Sequence, residues 1–353
     1  MPEPNPLVCR FGAFGDMILL TPLLRHLYLR SGLSCDVVAQ GEWNKSLFQE
    51  MPYVRNVYTV NSRSTPYWFS ASMKQLVQQL KTHRHRFVWI CETNARSYQL
   101  LKRAGITRHN SVSQLDQLPI EGEHYCEKWL RLGNESPAGF EHATLPAGPV
   151  NTELFVSDAE LHECRQWLNS RGVVAGQPIV CVQPGSKRTM RRGRVDRSSN
   201  TKFWPVSNWS EVIDQVIATM PRAQVLLCGV PNEVEMCEAV RDSCRDAQSV
   251  KVVADDLPIR RLLALMSMAH SCISVDTGPA HVAAAVNCPV VVLFGQADPR
   301  MFRPVSDNSP VRVIVGHDEN DPASSPSIGN ITAIRVIDEW NTMLHSRQEE
   351  SDG

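Results

Sequence analysis

The sequence predicts an α/β protein built from two Rossmann-like halves, each a parallel sheet covered by helices. Three observations carry that expectation. Strand-like and helix-like patterns alternate through both halves of the chain. A buried strand running through a tight turn into a helix occurs near both ends, at 7–27 and at 271–286. The 353 residues exceed one ordinary core and divide naturally into two domains of about 150 residues.

In the first half, apolar runs predict strands at 7–11, 36–40, 57–60 and 87–91, with helices between them. Leu7-Val8-Cys9-Arg10-Phe11 reads as a strand and Gly12-Ala13-Phe14-Gly15 as a turn. Asp16 then opens a helix with Met17, Leu20, Leu24 and Leu27 on one face. The stretch 133–151 has linker composition, with Pro137, Gly139, Pro146, Gly148 and Pro149. Ser157-Asp158-Ala159-Glu160 is a capping box for a helix that ends near Arg171-Gly172 and bridges to the body of the second domain, which begins near Gln177.

In the second half, strands are expected at 179–183, 225–229, 250–253, 271–275 and 290–294, and helices near 207–219, 232–244, 258–269 and 279–286. Asp318 to Ser327 reads as a polar loop before a last helix from about Ile331 to Leu344. The expected division is an N-terminal domain at 1–155, a C-terminal domain at 156–330, and a helix and tail at 331–353.

Composition excludes several classes. A formal net charge of −1 argues against a general nucleic-acid binder, so any electrostatic attraction is local. Eleven cysteines without metal-like spacing, several inside apolar runs (Cys181, Cys228), read as structural thiols in a reducing cytosol. No apolar run is long enough for a membrane span, and Met1-Pro2-Glu3-Pro4-Asn5-Pro6 lacks the features of a signal segment. Residues 186–202 form a basic run, with Lys187, Arg188, Arg191, Arg192, Arg194, Arg197 and Lys202 against Asp196. It reads either as a solvated loop or as a contact to phosphate groups.

Chemistry gathers at the two strand-to-helix turns. After Ser271-Cys272-Ile273-Ser274-Val275 comes Asp276-Thr277-Gly278-Pro279-Ala280-His281, where amide N–H groups and the positive end of a helix dipole suit an anion such as a diphosphate. Pro279 begins the helix, where a missing N–H is no loss. At the other turn, Asp16 is a helix-capping carboxylate or a functional one.

With these residues in view, the chain resembles glycosyltransferase family 9, the bacterial heptosyltransferases that build the inner core of lipopolysaccharide. The resemblance rests on three ordered signatures: Arg10 through Pro22; Val182-Gln183-Pro184-Gly185-Ser186 followed by Lys202-Phe203-Trp204-Pro205 and Trp209; and Asp276 through His281 followed by Pro289 through Pro299. The arginine-rich insertion between Ser186 and Lys202 departs from the family pattern and makes Lys187 an alternative to Lys202.

The resemblance implies a GT-B architecture, two Rossmann-like domains whose parallel sheets face across a cleft, with the nucleotide-sugar on the C-terminal domain and the acceptor on the N-terminal one. It implies inverting transfer without a bound metal or other cofactor. Asp16 is then the base for the acceptor hydroxyl. Lys202, Ser186, Thr277, Gly278, Pro279, Ala280 and His281 are expected at the donor diphosphate, whose departure creates negative charge. Glu233 is expected at the ribose hydroxyls and Leu257 beside the base, while Arg10, Arg63 and Arg96 are candidates for an anionic acceptor. The implied partners are an ADP-sugar and an anionic glycan or glycolipid, handled in the cytoplasm with peripheral contact at the inner face of the inner membrane.

Three other readings remain open at the level of sequence. A dinucleotide oxidoreductase fits poorly, because Gly12-Ala13-Phe14-Gly15 lacks the three-glycine spacing and the second strand ends Val38-Ala39-Gln40-Gly41 without an acid. A non-catalytic nucleotide-sugar binder would need the same fold without a base. A transferase acting on a protein or another glycan would share every signature.

Overall fold

A computed structural model describes residues 5–83, 87–146, 148–186, 190–191, 194–195, 201–318, 321 and 325–351. The chain divides into two units, Met1–Phe155 and Val156–Gly353. Each is built on one parallel sheet.

The first unit runs β1 (Leu7–Cys9), α1 (Phe14–Ile18), α2 (Thr21–Ser31), β2 (Cys35–Gln40), α3 (Trp43–Leu47), β3 (Val54–Val60), α4 (Ala71–His83), β4 (Val88–Ile90), α5 (Ala95–Arg103), β5 (Ser111–Ser113) and α6 (Tyr125–Asn134). Its strand order is β3-β2-β1-β4-β5. The chain therefore builds outward from β1 to β3, then crosses back to lay β4 on the other side of β1. At such a reversal the loops leaving the carboxyl ends of two neighbouring strands diverge and leave room for a ligand.

The second unit runs α7 (Asp158–Ser170), β6 (Ile179–Gln183), β7 (Met190–Arg191), β8 (Arg194–Val195), α8 (Val206–Thr219), β9 (Gln224–Leu227), α9 (Val234–Asp242), β10 (Val250–Val252), α10 (Ile259–Met268), β11 (Ser271–Val275), α11 (Gly278–Ala285), β12 (Val290–Phe294), α12 (Pro299–Phe302), β13 (Val311–Val315) and α13 (Ala333–Ser351). The order of its main sheet is β10-β9-β6-β11-β12-β13, so the reversal falls between β6 and β11. β7 and β8 make a separate antiparallel ribbon within the basic run. The side chains of Lys187, Arg188, Arg192 and Arg197 lie outside the described residues.

Helices on both faces explain why central strands are apolar at every position rather than at alternate ones. β6, β11 and β12 are buried along their whole lengths and match the expected strands residue for residue. α7 starts at its expected capping box, with the Ser157 N–H donating to Glu160 Oε2 at 2.9 Å. α13 sends Val336, Trp340 and Met343 into the core of the second sheet, and the Trp340 indole donates to Ser271 Oγ at 3.0 Å. Among the described residues all eleven cysteines are buried and none forms a disulfide, and no helix is long and apolar enough to cross a membrane.

Four expectations need correction. The single helix after Asp16 is two, α1 and α2, because Pro22 can start a helix but cannot donate to the turn before it. The hydroxyl of Thr21 bonds the Ile18 carbonyl at the break, at 2.9 Å, and Met17, Leu20, Leu24 and Leu27 all remain buried. The sheets each gain an edge strand, β5 and β13, beyond those expected. Gly133 lies inside α6, so the irregular stretch starts only after Asn134. The last helix begins two residues later than expected and runs on to Ser351.

Candidate active site

At the reversal of the first sheet, the turn after β1 and the loop after β4 meet. Asp16 sits in the first turn of α1, and its Oδ2 accepts the Ala13 N–H at 2.8 Å. Its Oδ1 lies 3.5 Å from an Arg10 guanidinium nitrogen, and the side chain is 27% exposed. Capping and display thus coexist, one oxygen fixing the carboxylate at the turn while the side chain stays part-exposed beside Arg10. The turn needs glycine at position 12, because a Cβ there would stand 2.5 Å from the Asp16 Cβ.

Arg10 is held from several sides. Its Nη1 donates to the Cys91 carbonyl at 2.9 Å and lies 3.8 Å from Glu92, while the guanidinium stacks near the Tyr125 and Trp129 rings at 5.8 and 5.3 Å. Glu92, only 3% exposed, accepts the Phe11 N–H at 2.7 Å, Arg63 Nη1 at 3.2 Å and the Ser97 hydroxyl at 3.3 Å. Arg63 also donates through Nε to Gln40 Oε1 at 2.9 Å and lies over the Phe11 ring at 5.6 Å. One buried carboxylate therefore ties both arginines and the backbone before the Asp16 turn. Sequence reasoning missed Glu92; the available signal was an acid directly after an apolar strand, two residues before the helix-capping Asn94.

Arg96 stays exposed and reaches the Ser64 carbonyl at 3.4 Å. It shares with Arg63 and Arg103 a cavity of about 290 Å³, whose walls include Pro66, Tyr67 and Trp68. Arg63 and Arg96 are thus brought to one place, with Arg10 on the other side of Glu92.

At the reversal of the second sheet, the turn after β11 leads into α11, with Thr277 as N-cap and Pro279 in the first turn. The first N–H groups of a helix have no acceptor within it, and the Gly278 amide is one of them. The Ala280 N–H is less available, since it donates to the Thr277 carbonyl at 3.1 Å. His281 is buried in the same first turn. Lys202 reaches this turn despite the insertion before it, with Nζ 2.6 Å from Asp276 Oδ2 and also bonded to the Asp276 carbonyl. What seats Lys202 is the aromatic pair beyond it: Trp204 and Trp209 are buried edge to face at 4.8 Å, and the Trp204 indole donates to the Ile331 carbonyl at 2.9 Å. Asp276 thus accepts the lysine through both its carboxylate and its carbonyl.

Ser186 is buried in the loop after β6, on the other side of the reversal. Next to that loop Glu233 is only 3% exposed. Its Oε2 accepts the Val230 N–H at 3.0 Å, and Oε1 has no hydrogen-bond partner among the described residues. The neighbouring Gln183 amide donates to the Gly185 carbonyl at 3.0 Å. Burial raises the Glu233 pKa, opposed by the Val230 N–H and by Gln183. Gly185 makes the arrangement possible, because a Cβ there would lie 2.5 Å from Glu233 Oε1. Leu257, half-buried, follows β10, whose carboxyl end lies on the same sheet edge. Among the described residues no group of three or more His, Cys, Asp or Glu could hold a metal ion.

The family described as Glycosyltransferase family 9 (heptosyltransferase) matches residues 101–325. Among curated proteins, lipopolysaccharide heptosyltransferase 2 of Escherichia coli K12 is 24% identical, over 96% of this chain and 97% of its own length. Among solved structures, E. coli ADP-heptose lipopolysaccharide heptosyltransferase II superposes with a TM-score of 0.74 at 22% identity, covering 98% of this chain and 99% of that one. E. coli heptosyltransferase WaaC with ADP gives 0.70 at 18% identity, covering 96% and 99%. Two Rossmann-like domains of this kind are the GT-B fold of glycosyltransferases. The chain belongs to glycosyltransferase family 9 and is a glycosyltransferase.

Proposed function

We propose that the protein is an inverting, metal-independent heptosyltransferase that moves a heptose, or a closely related sugar, from an ADP-sugar to an anionic acceptor of the lipopolysaccharide-core type. The observation that carries this reading is the complementary chemistry at the two sheet reversals. One displays a carboxylate braced by arginine; the other displays a lysine at a helix N-terminus. In the proposed step Asp16 takes the proton of the acceptor hydroxyl, the acceptor oxygen bonds the anomeric carbon, and the bond from that carbon to the diphosphate oxygen breaks. ADP leaves, its new charge met by Lys202, the Gly278 N–H, the Thr277 hydroxyl and His281 at the first turn of α11, and by the Ser186 hydroxyl in the loop after β6.

Glu233 supports a nucleoside with free hydroxyls. Its unpaired buried oxygen is costly unless a ligand donates to it, and two ribose hydroxyls are suitable donors. Leu257 would flank the base. Arg63 and Arg96 would take carboxylates or phosphates of the acceptor in the cavity they share, and Arg10 would hold Asp16 in place. Solution of the WaaC structure with ADP, and the lipopolysaccharide for which the curated relatives are named, favour this donor and acceptor class. The protein would work in the cytoplasm, peripherally at the membrane that carries its acceptor.

The test is to incubate the protein with a panel of nucleotide-sugars and a truncated lipopolysaccharide core, then look for glycosylated mass and released nucleotide. ADP-heptose should support transfer with inversion at the anomeric carbon, in the presence of EDTA. Tight ADP binding without transfer from any ADP-sugar would make the protein a binder instead.

A further inference from the structure

Between Asn61 and Asn110 the sequence holds nine Lys or Arg and a single acid, Glu92, in a chain whose overall charge is −1. That acid is buried, so the surface charge of the segment is positive. The same segment carries the two most prominent exposed aromatic side chains of the unit. Trp68 is 71% and Phe69 84% exposed, side by side on a 3-10 turn, Tyr67–Phe69, that leads into α4. α4 packs against both this turn and α5. Its apolar face, Met73, Leu76, Val77 and Leu80, is spent on the core. Outward remain Lys74 and Lys81 on α4, and Arg96, Lys102 and Arg103 on α5.

From this juxtaposition, an exposed aromatic pair set in a basic helical face of a near-neutral protein, we propose that the Tyr67–Phe69 turn with the outer faces of α4 and α5 docks on an anionic lipid bilayer. Rings of this kind gain by leaving water for the headgroup region, where Trp in particular is favoured. Lys and Arg around them add attraction to anionic headgroups, about fivefold in binding for each. Neither part explains the other: solubility alone accounts for the charges, but two adjacent rings left in water call for an apolar partner. A soluble acidic partner would use the charges and leave the rings exposed. The inference rests on the peripheral placement proposed above, and its test reads lipid binding rather than transfer, so the two can fail separately.

The experiment is sedimentation of the full chain with vesicles of phosphatidylglycerol and phosphatidylethanolamine, against phosphatidylcholine alone, at low and high salt. Wild-type protein should bind the anionic vesicles and be released by salt. Trp68→Ser with Phe69→Ser should lower affinity at least tenfold, and Lys74→Glu with Lys102→Glu should do the same and abolish the lipid preference. Melting temperatures within a few degrees of wild type confirm that the variants are folded, and Phe69→Ser alone, expected to weaken binding severalfold, serves if the double variant is not. Equal vesicle binding by wild type and folded variants would overturn the proposal and shift attention to the basic run 186–202. Retention on a soluble polyanion such as heparin without vesicle binding would overturn it in favour of an acidic polymer.

Discussion

The two sheet reversals solve opposite electrostatic problems with the same backbone plan. In the first unit a carboxylate, Asp16, is presented, and the cations around it are tied down: Arg10 and Arg63 both converge on the buried Glu92. In the second unit the cation is presented at a helix N-terminus, and the carboxylate there, Asp276, holds Lys202 in place. The fold supplies a reversal in each sheet, but the side chains after the strands decide which charge faces a ligand. A Rossmann-like unit thus leaves the sign of the charge it presents to the side chains that follow its strands.

That contrast can be broken at several points. The largest effect is expected at the proposed base: Asp16→Asn should cut turnover at least a hundredfold, read as product formed per enzyme under saturating donor. Lys202→Ala should slow transfer by about tenfold to a hundredfold and weaken the donor, because a fixed cation is lost from the leaving group. Unchanged donor affinity would direct attention to Lys187.

Glu92→Ala should destabilise the first unit by about 3 kcal/mol in urea unfolding, because it strands two arginines and the Phe11 N–H around one buried site. Stability within 0.5 kcal/mol of wild type, on the order of an ordinary surface change, would show that Glu92 does not brace the turn.

Glu233 sharpens the comparison through pH. Burial raises its carboxyl pKa in the folded chain. Below the unfolded value, about 4.3, both states are protonated and nothing is gained or lost. As pH rises from the unfolded value to the folded one, the unfolded chain ionises while the buried carboxyl keeps its proton, so folding is increasingly penalised and stays penalised above the folded value. Glu233→Gln should therefore melt higher than wild type at pH 7, match it near pH 4, and bind ADP about tenfold more weakly. A lower melting point at pH 7 would show that the ionised carboxylate stabilises the fold.

The smallest effect is expected at Glu160, whose carboxyl is pulled down to about 2 by the Arg260 fork at 2.5 and 2.6 Å, despite partial burial, with help from Ser157. A depressed carboxyl stabilises the fold above its unfolded pKa and loses that contribution as pH falls toward 2. Because the pair is only half-buried and water still screens it, Glu160→Gln should cost about 1 kcal/mol at pH 7 and almost nothing near pH 2. A cost independent of pH would assign the effect to packing.

What could be read from sequence follows the range of the interactions involved. β6, β11 and β12 were legible because strands covered on both faces must be apolar throughout. β5 was not, since Ser111-Val112-Ser113 offers one apolar residue at a sheet edge. β13 carries a strand-like run, Val311-Arg312-Val313-Ile314-Val315, in the gap between the last expected strand and the last expected helix. Asp16 and the Thr277-Gly278 turn stand out locally, each within a strand, turn and helix. Glu92 does not, because its partners Phe11 and Arg63 are 81 and 29 residues away. The seat of Lys202 depends in the same way on Trp204 meeting Ile331, 127 residues on. The unpaired oxygen of Glu233 comes from folding the loops after β6 and β9 together, which no local pattern encodes.

The division of labour between the two units is tested most directly by titrating ADP into Asp16→Asn and Lys202→Ala side by side with wild type. The expected result is wild-type affinity for Asp16→Asn and at least tenfold weaker binding for Lys202→Ala. Equal loss in both variants, or loss only in Asp16→Asn, would contradict the assignment of base to the first unit and donor anion to the second.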